Sequence, residues 1–160
     1  MDELAVRRAK KLLDAGIHSV QQGEIDDARA LFQKSAENHA TADAYTYWGW
    51  MEHHRGNTQL AIELCEKAIE LDPQFGNAYN DIGSYLIQQG DLDGAIGWLE
   101  KALKAERYEP RQYPHINLGR VYLAKGLPLR AIQHFRAALE WDPQNPEVLR
   151  TLEEILSSIN

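Results

Sequence analysis

Residues 76–103 read GNAYNDIGSYLIQQGDLDGAIGWLEKAL. Tyr79, Ile82, Gly83 and Leu86 recur at helical steps of three and four, which marks one apolar face of a helix. Gly90-Asp91 interrupts that face, and Leu92, Ala95, Ile96, Leu99, Ala102 and Leu103 then resume the same period. The stretch therefore predicts helix, tight turn, helix.

The same frame occurs four times. Gly16, Gly49, Gly83 and Gly119 lie 33, 34 and 36 residues apart. Gly23, Gly56, Gly90 and Gly126 each follow seven residues later, and Ala28, Ala61, Ala95 and Ala131 five residues after those. Recurrence at this period means stacked copies of one supersecondary unit. In the second copy the stripes are Ala44, Tyr45, Trp48, Gly49 and Met51, then Leu60, Ala61, Leu64, Cys65, Ala68, Ile69 and Leu71. Asn57 reads as the N-cap between them, and Asp72-Pro73 ends the pair, because the residue before proline leaves the helical region. The fourth copy closes in the same way at Asp142-Pro143. A glycine or alanine where two helices cross lets the backbones approach, and the second glycine set falls at turns that call for positive φ.

Repeats at about 9–41, 42–75, 76–111 and 112–145 are followed by one further helix over 146–159, all in a single domain. Asn145-Pro146 reads as its N-cap and first helical position. Val148, Leu149, Leu152, Ile155, Leu156 and Ile159 give it an apolar face, as a helix covering the last repeat of a solenoid requires.

Composition removes several classes of function. The net charge of -7 lacks the basic footprint of a nucleic-acid binder and disfavours anionic lipid. A single cysteine, Cys65, rules out an intrachain disulfide framework and fits a reducing compartment. The first residues hold no apolar signal core, and no stretch approaches the roughly 20 apolar residues of a membrane span. These features predict a cytoplasmic protein, provided no targeting segment has been removed.

The pattern resembles the tetratricopeptide repeat, a helix–turn–helix unit of similar period. The matching residues are Tyr45, Trp48, Gly49, Ala61, Ala68 and Pro73 in the second repeat, and Tyr79, Ile82, Gly83, Ala95, Leu99 and Ala102 in the third. In the fourth they are Leu118, Gly119, Tyr122, Ala131, Phe135, Ala138 and Pro143. The resemblance implies an all-α, right-handed superhelical solenoid of four repeats plus a capping helix. It also implies a concave groove lined by the first helices, and scaffolding or peptide binding rather than catalysis. One departure stands out. The segment Glu106–Gln112 carries an insertion, with Tyr108, Pro110, Tyr113 and Pro114 in or near it. It reads as a neutral loop extension, or else as a shift of superhelical pitch or a binding lip built from the tyrosines. A similar extended segment occurs in tetratricopeptide proteins of type IV pilus assembly.

With that geometry one stripe of each first helix faces the groove. The stripes are Lys10, Asp14, Ile17 and Gln21; Asp43, Tyr47, Trp50 and His54; Asn77, Asp81, Ser84 and Gln88; and Tyr113, Asn117, Arg120 and Ala124. Tyr47 and Trp50 are flat, large and able to hydrogen-bond, as recognition anchors often are, whereas Trp48 takes a core position. Asp14, Asp43 and Asp81 make the surface acidic, opposed by Lys10 and Arg120 only at its ends. The expected partner is a protein or peptide with apolar or aromatic anchors and some basic residues. The aspartates would repel a chaperone's C-terminal carboxylate. Two alternatives are a self-associating scaffold and an assembly factor of a larger pilus or secretion machine. Trp98 and the last helix are candidate self-contact surfaces, and the reading preferred for both is partial packing against neighbours.

Nothing points to an enzyme, a cofactor or a metal. His53 and His54 are adjacent and diverge by about 100° on a helix, whereas zinc pairs want i and i+4. His18, His39, His115 and His134 are scattered, and Cys65 reads as an inert buried thiol.

Overall fold

Four glycines with positive φ set the helix lengths. Gly23, Gly56, Gly90 and Gly126 have φ of 78°, 88°, 83° and 73°. At each, the glycine amide and the next amide turn back onto carbonyls of the last helical turn: Gly90 onto Ile87 and Asp91 onto Leu86, for example, both within 3.0 Å. This pair of bonds closes the helix end, and only glycine adopts the required φ without strain.

The computed structural model describes residues 1–108 and 110–160. Among the described residues the helices are α1 (Glu3–Gln21), α2 (Ile25–Asn38), α3 (Ala42–His54), α4 (Thr58–Leu71), α5 (Gly76–Gln88), α6 (Leu92–Lys104), α7 (Gln112–Ala124), α8 (Pro128–Trp141) and α9 (Pro146–Ile159). They pair as α1–α2, α3–α4, α5–α6 and α7–α8, and each pair stacks on the next. Helix α5 also touches α3 and α7, and the three form the inner layer. The chain is thus a right-handed superhelical solenoid of four helix–turn–helix repeats, and α9 caps it against α8.

The small residues act at the crossings. Ala28, Ala61, Ala95 and Ala131 are fully buried. A Cβ added at Gly16 would stand 2.5 Å from the Phe32 ring, at Gly83 2.6 Å from Leu99 Cγ, and at Gly119 2.6 Å from the Phe135 ring. Such contacts leave no room for any side chain at these crossings.

Asn145 caps α9 as expected, accepting from the Val148 amide at 3.1 Å. Asn57 stands at the N-cap position of α4 but makes no capping bond. Its amide is committed instead to Glu52 Oε2 at 2.7 Å. Glu52 itself, 1% exposed, also accepts from Arg29 Nε at 2.7 Å, Trp48 Nε1 at 3.3 Å and Arg55 Nη1 at 3.5 Å. Burial works to raise its pKa, but the donors from Arg29, Asn57 and Trp48 outweigh it and hold the carboxyl below its ordinary value. This cluster ties α2 to α3.

Trp98 packs partly against its neighbours, the alternative to a self-contact surface. It is half-buried against the α4–α5 core, with Lys101 Nζ 4.6 Å above its ring. Cys65 is fully buried and burial pushes its thiol pKa well up, as expected of an inert core residue.

A candidate peptide groove on the concave face

Helices α3, α5 and α7 turn the expected stripes toward one hollow. Asp43, Tyr47 and Trp50 of α3, Asn77 and Asp81 of α5, and Tyr113 of α7 line a groove of about 860 Å³. A second hollow of about 280 Å³ continues it along Trp50, His54, Asp81, Ser84, Tyr113, Asn117 and Arg120. The two share Trp50, Asn80, Asp81 and Tyr113 as common walls.

Lys10 and Asp14 do not join them. They lie exposed on α1 and pair with each other at 3.5 Å. The groove is therefore built from the second, third and fourth repeats.

The aromatic reading of α3 fits the geometry. Tyr47 is half-buried, stacked on Phe32 with centroids 4.9 Å apart. Trp50 is 36% exposed and follows Tyr47 at 6.5 Å, and His54 meets the indole edge-on at 5.4 Å. Tyr113 on the facing helix is 49% exposed. The groove thus has a firm aromatic floor at Tyr47 and free aromatic faces at Trp50 and Tyr113.

The inserted segment supplies a wall. Of residues 106–112, residue 109 lies outside the described residues. The Arg107 amide donates to the Gln74 carbonyl and the Gly76 amide to the Arg107 carbonyl, both at 3.0 Å. These bonds fasten the segment to the α4–α5 turn as a short parallel bridge to Phe75. The Arg107 guanidinium lies 4.2 Å over the Phe75 ring. It donates to Asp72 at 2.8 Å and Asp43 at 3.2 Å. Arg111 donates to the carbonyls of Leu103 at 3.2 Å and Ala105 at 2.8 Å, which the end of α6 leaves without helical partners. Tyr108 is buried beneath this wall, 4% exposed. Of the two tyrosines read as a lip, Tyr108 is core and Tyr113 faces the groove.

The acidic stripe needs correction. Asp14 is outside the groove and paired, and Asp43 pairs with Arg107, which it shares with Asp72. Asp81 keeps contact with the hollow, yet surrounding protein displaces its water and raises its pKa to about 7. The surface is far less negative than a count of aspartates suggests. Arg120 is equally committed, to Glu147 of α9 and to Asn117 at 3.1 Å. Asn117 is buried and donates to Asn80 at 3.0 Å, so these polar groups tie α5, α7 and α9 together.

The sequence reading missed Glu52, Asn80, Arg107 and Arg111. Glu52 had a signal, a lone acid inside the aromatic run YTYWGWMEHH. Arg107 had none, because its partners lie 35 and 64 residues away. The histidines are also less scattered than they looked. His115 and His134 approach to 3.4 Å between Nδ1 atoms, and burial lowers both pKa values. No group of three or more His, Cys, Asp or Glu among the described residues could hold a metal ion. Among the described residues no helix is long and apolar enough to cross a membrane.

A solenoid of paired helices with an open, aromatic-lined inner face is a protein-interaction scaffold in general class. The chain belongs to the tetratricopeptide repeat family: three models of that repeat match residues 13–75, 53–114 and 114–145. It is 33% identical over 158 residues to the cell division cycle protein 27 homolog of Caenorhabditis elegans, covering 95% of this chain and 20% of that protein. It is 25% identical over 145 residues to the type IV pilus assembly protein PilF of Pseudomonas aeruginosa, covering 90% of this chain and 58% of that one. A solved structure of Pseudomonas aeruginosa PilF superposes with a TM-score of 0.89 at 23% identity, over 96% of this chain and 70% of that chain. The chain therefore spans from a fifth to under two thirds of these two relatives' lengths.

Proposed function

We propose that this chain is an adaptor that holds a segment of a partner protein, extended or helical, in the groove between α3, α5, α7 and the Arg107 wall. The observation that carries this reading is the pair of free aromatic faces, Trp50 and Tyr113, on opposite sides of a preformed hollow of about 860 Å³. Aromatic anchors in partly desolvated pockets supply much of the binding energy at protein interfaces. The anchors complementary to them are apolar or aromatic side chains of the partner. The groove is held open by side-chain bonds that do not involve a ligand, so little ordering is lost on binding.

The test is affinity capture with the native chain beside a Trp50→Ala/Tyr113→Ala variant of matched thermal stability, followed by calorimetry with the captured partner. Loss of two anchors is expected to weaken binding by about 2 kcal/mol or more, about thirtyfold. Equal affinity would move the interaction off the concave face. A second reading, an assembly factor of a larger machine, is favoured by the resemblance to PilF along most of this chain. Recovery of an envelope or pilus component would support that reading. Recovery of this chain alone would favour a self-associating scaffold.

A further inference from the structure

Asp81 differs from the paired charges of the groove. Asp43 has Arg107, Arg107 has Asp43 and Asp72, Arg111 has carbonyls of the α6 end, and Arg120 has Glu147. Among the described residues Asp81 has no ion-pair partner, although it lies where the two hollows meet, between Trp50 and Tyr113. Glu106, exposed on the rim of the groove, is likewise without an ion-pair partner among the described residues. A carboxylate partly shielded from water, with Asn80 as its hydrogen-bond donor, is unfavourable as it stands. It is a favourable receptor for a cation, because cation–π attraction and charge pairing then act together in a low-dielectric site.

We propose that Asp81 receives a lysine or arginine side chain of the partner segment, seated between Trp50 and Tyr113. This rests on the groove reading above and specifies the ligand that groove selects. The groups facing Asp81 do not supply the missing cation. From α3 come Tyr47 and Asp43, from α4 Cys65, and from α5 Tyr85, whose buried hydroxyl has no partner among the described residues. From the wall come Arg107, Tyr108 and Arg111, and from α7 Tyr113 and Arg120, with both arginines of the wall and Arg120 already engaged. His53 and His54 border the smaller hollow.

A proton consequence follows. The free carboxyl has a pKa of about 7, raised by burial, and a bound cation would return it toward the ordinary carboxylate range. Binding then releases a proton, so affinity rises with pH. Between about pH 6 and about pH 8 the ionised fraction, and with it the affinity, changes about tenfold.

The probe is a displayed library of random peptides, panned at alkaline pH on the native chain, on Asp81→Asn and on Trp50→Ala/Tyr113→Ala. Peptides retained by the native chain are expected to be enriched in lysine or arginine, and that enrichment disappears on Asp81→Asn. A selected histidine-free peptide should bind the native chain about tenfold more tightly at the higher pH and show a flat profile on Asp81→Asn. The profile is repeated in a His53→Gln/His54→Gln background, which removes both imidazoles that border the smaller hollow. Peptides that need Trp50 and Tyr113 but carry no basic residue, or bind Asp81→Asn equally well, would overturn the inference and leave the groove reading intact. Failure of the native chain to retain any peptide over the double variant would overturn both.

Discussion

Gly76→Ala is the sharpest test of how the groove wall is held. Gly76 opens α5 directly beneath the inserted segment. A Cβ built there would lie 2.5 Å from both Cβ and Cγ of Tyr108 and 3.1 Å from Ala105 Cβ. These atoms belong to the stem of a buried side chain, not to a flexible tip, so the tyrosine cannot swing aside without lifting the wall. Overpacking of this kind costs about 1–3 kcal/mol. For a chain of this size about 1 kcal/mol shifts Tm by roughly 2–4 °C, so Gly76→Ala should melt roughly 2–12 °C below the native chain. Gly97, inside α6, is the matched control, since a Cβ there meets nothing within 4 Å. Gly97→Ala relieves a helix-interior glycine and should gain about 0.5–1 kcal/mol. Calorimetry reads both shifts, and hydroxyl-radical footprinting reads whether Tyr108 becomes accessible in Gly76→Ala alone. Equal shifts of the same sign in the two variants, or a Tyr108 that stays protected, would refute the claim that Gly76 exists to seat the wall.

Two further perturbations address the buried charges. Glu52→Gln keeps the shape but removes the charge from a carboxylate with four donors, and should cost about 1–3 kcal/mol by denaturant titration near neutral pH. Because the folded pKa of Glu52 is depressed, its contribution is present above the ordinary glutamate pKa and is lost as pH falls through the folded value. The difference between variant and native chain should therefore shrink in acid; a difference independent of pH would show that charge is not the cause. Asp81→Asn should do the opposite. The folded pKa of about 7 against an ordinary 3.8 means that the native state holds the extra proton between those values. Stability is then lost as pH rises through that window. Asparagine mimics the protonated acid, so the variant should match the native chain near pH 4 and exceed it at pH 8, by at most about 4 kcal/mol since groove water still reaches the carboxylate. A difference between variant and native chain that does not change across the window would refute the raised pKa.

The glycine and alanine frame needed no tertiary information. A turn that demands positive φ and a crossing that admits no Cβ are constraints on single residues, and they leave single-residue marks at Gly90 and Gly83. The stripe Tyr47, Trp50, Asp81 and Tyr113 was legible for a related reason, since helical periodicity and the repeat register fix which face looks inward. Asn57 misled because an N-cap signature concerns one helix end, while Glu52 drew its side chain away. The insertion was visible by counting, but its conformation was not. Arg107 meets Asp43 and Asp72 across separations of 64 and 35 residues, and no local pattern encodes such a meeting.

The sequence by itself thus determined the repeat, its number of copies, the cap and the inward face, because each follows from backbone sterics and periodicity within a few residues. The tertiary structure alone decided the charge of the groove. Whether Asp43 is paired, whether Arg120 is free and whether Asp81 holds a proton depend on distances to distant partners and on how much water neighbouring helices exclude.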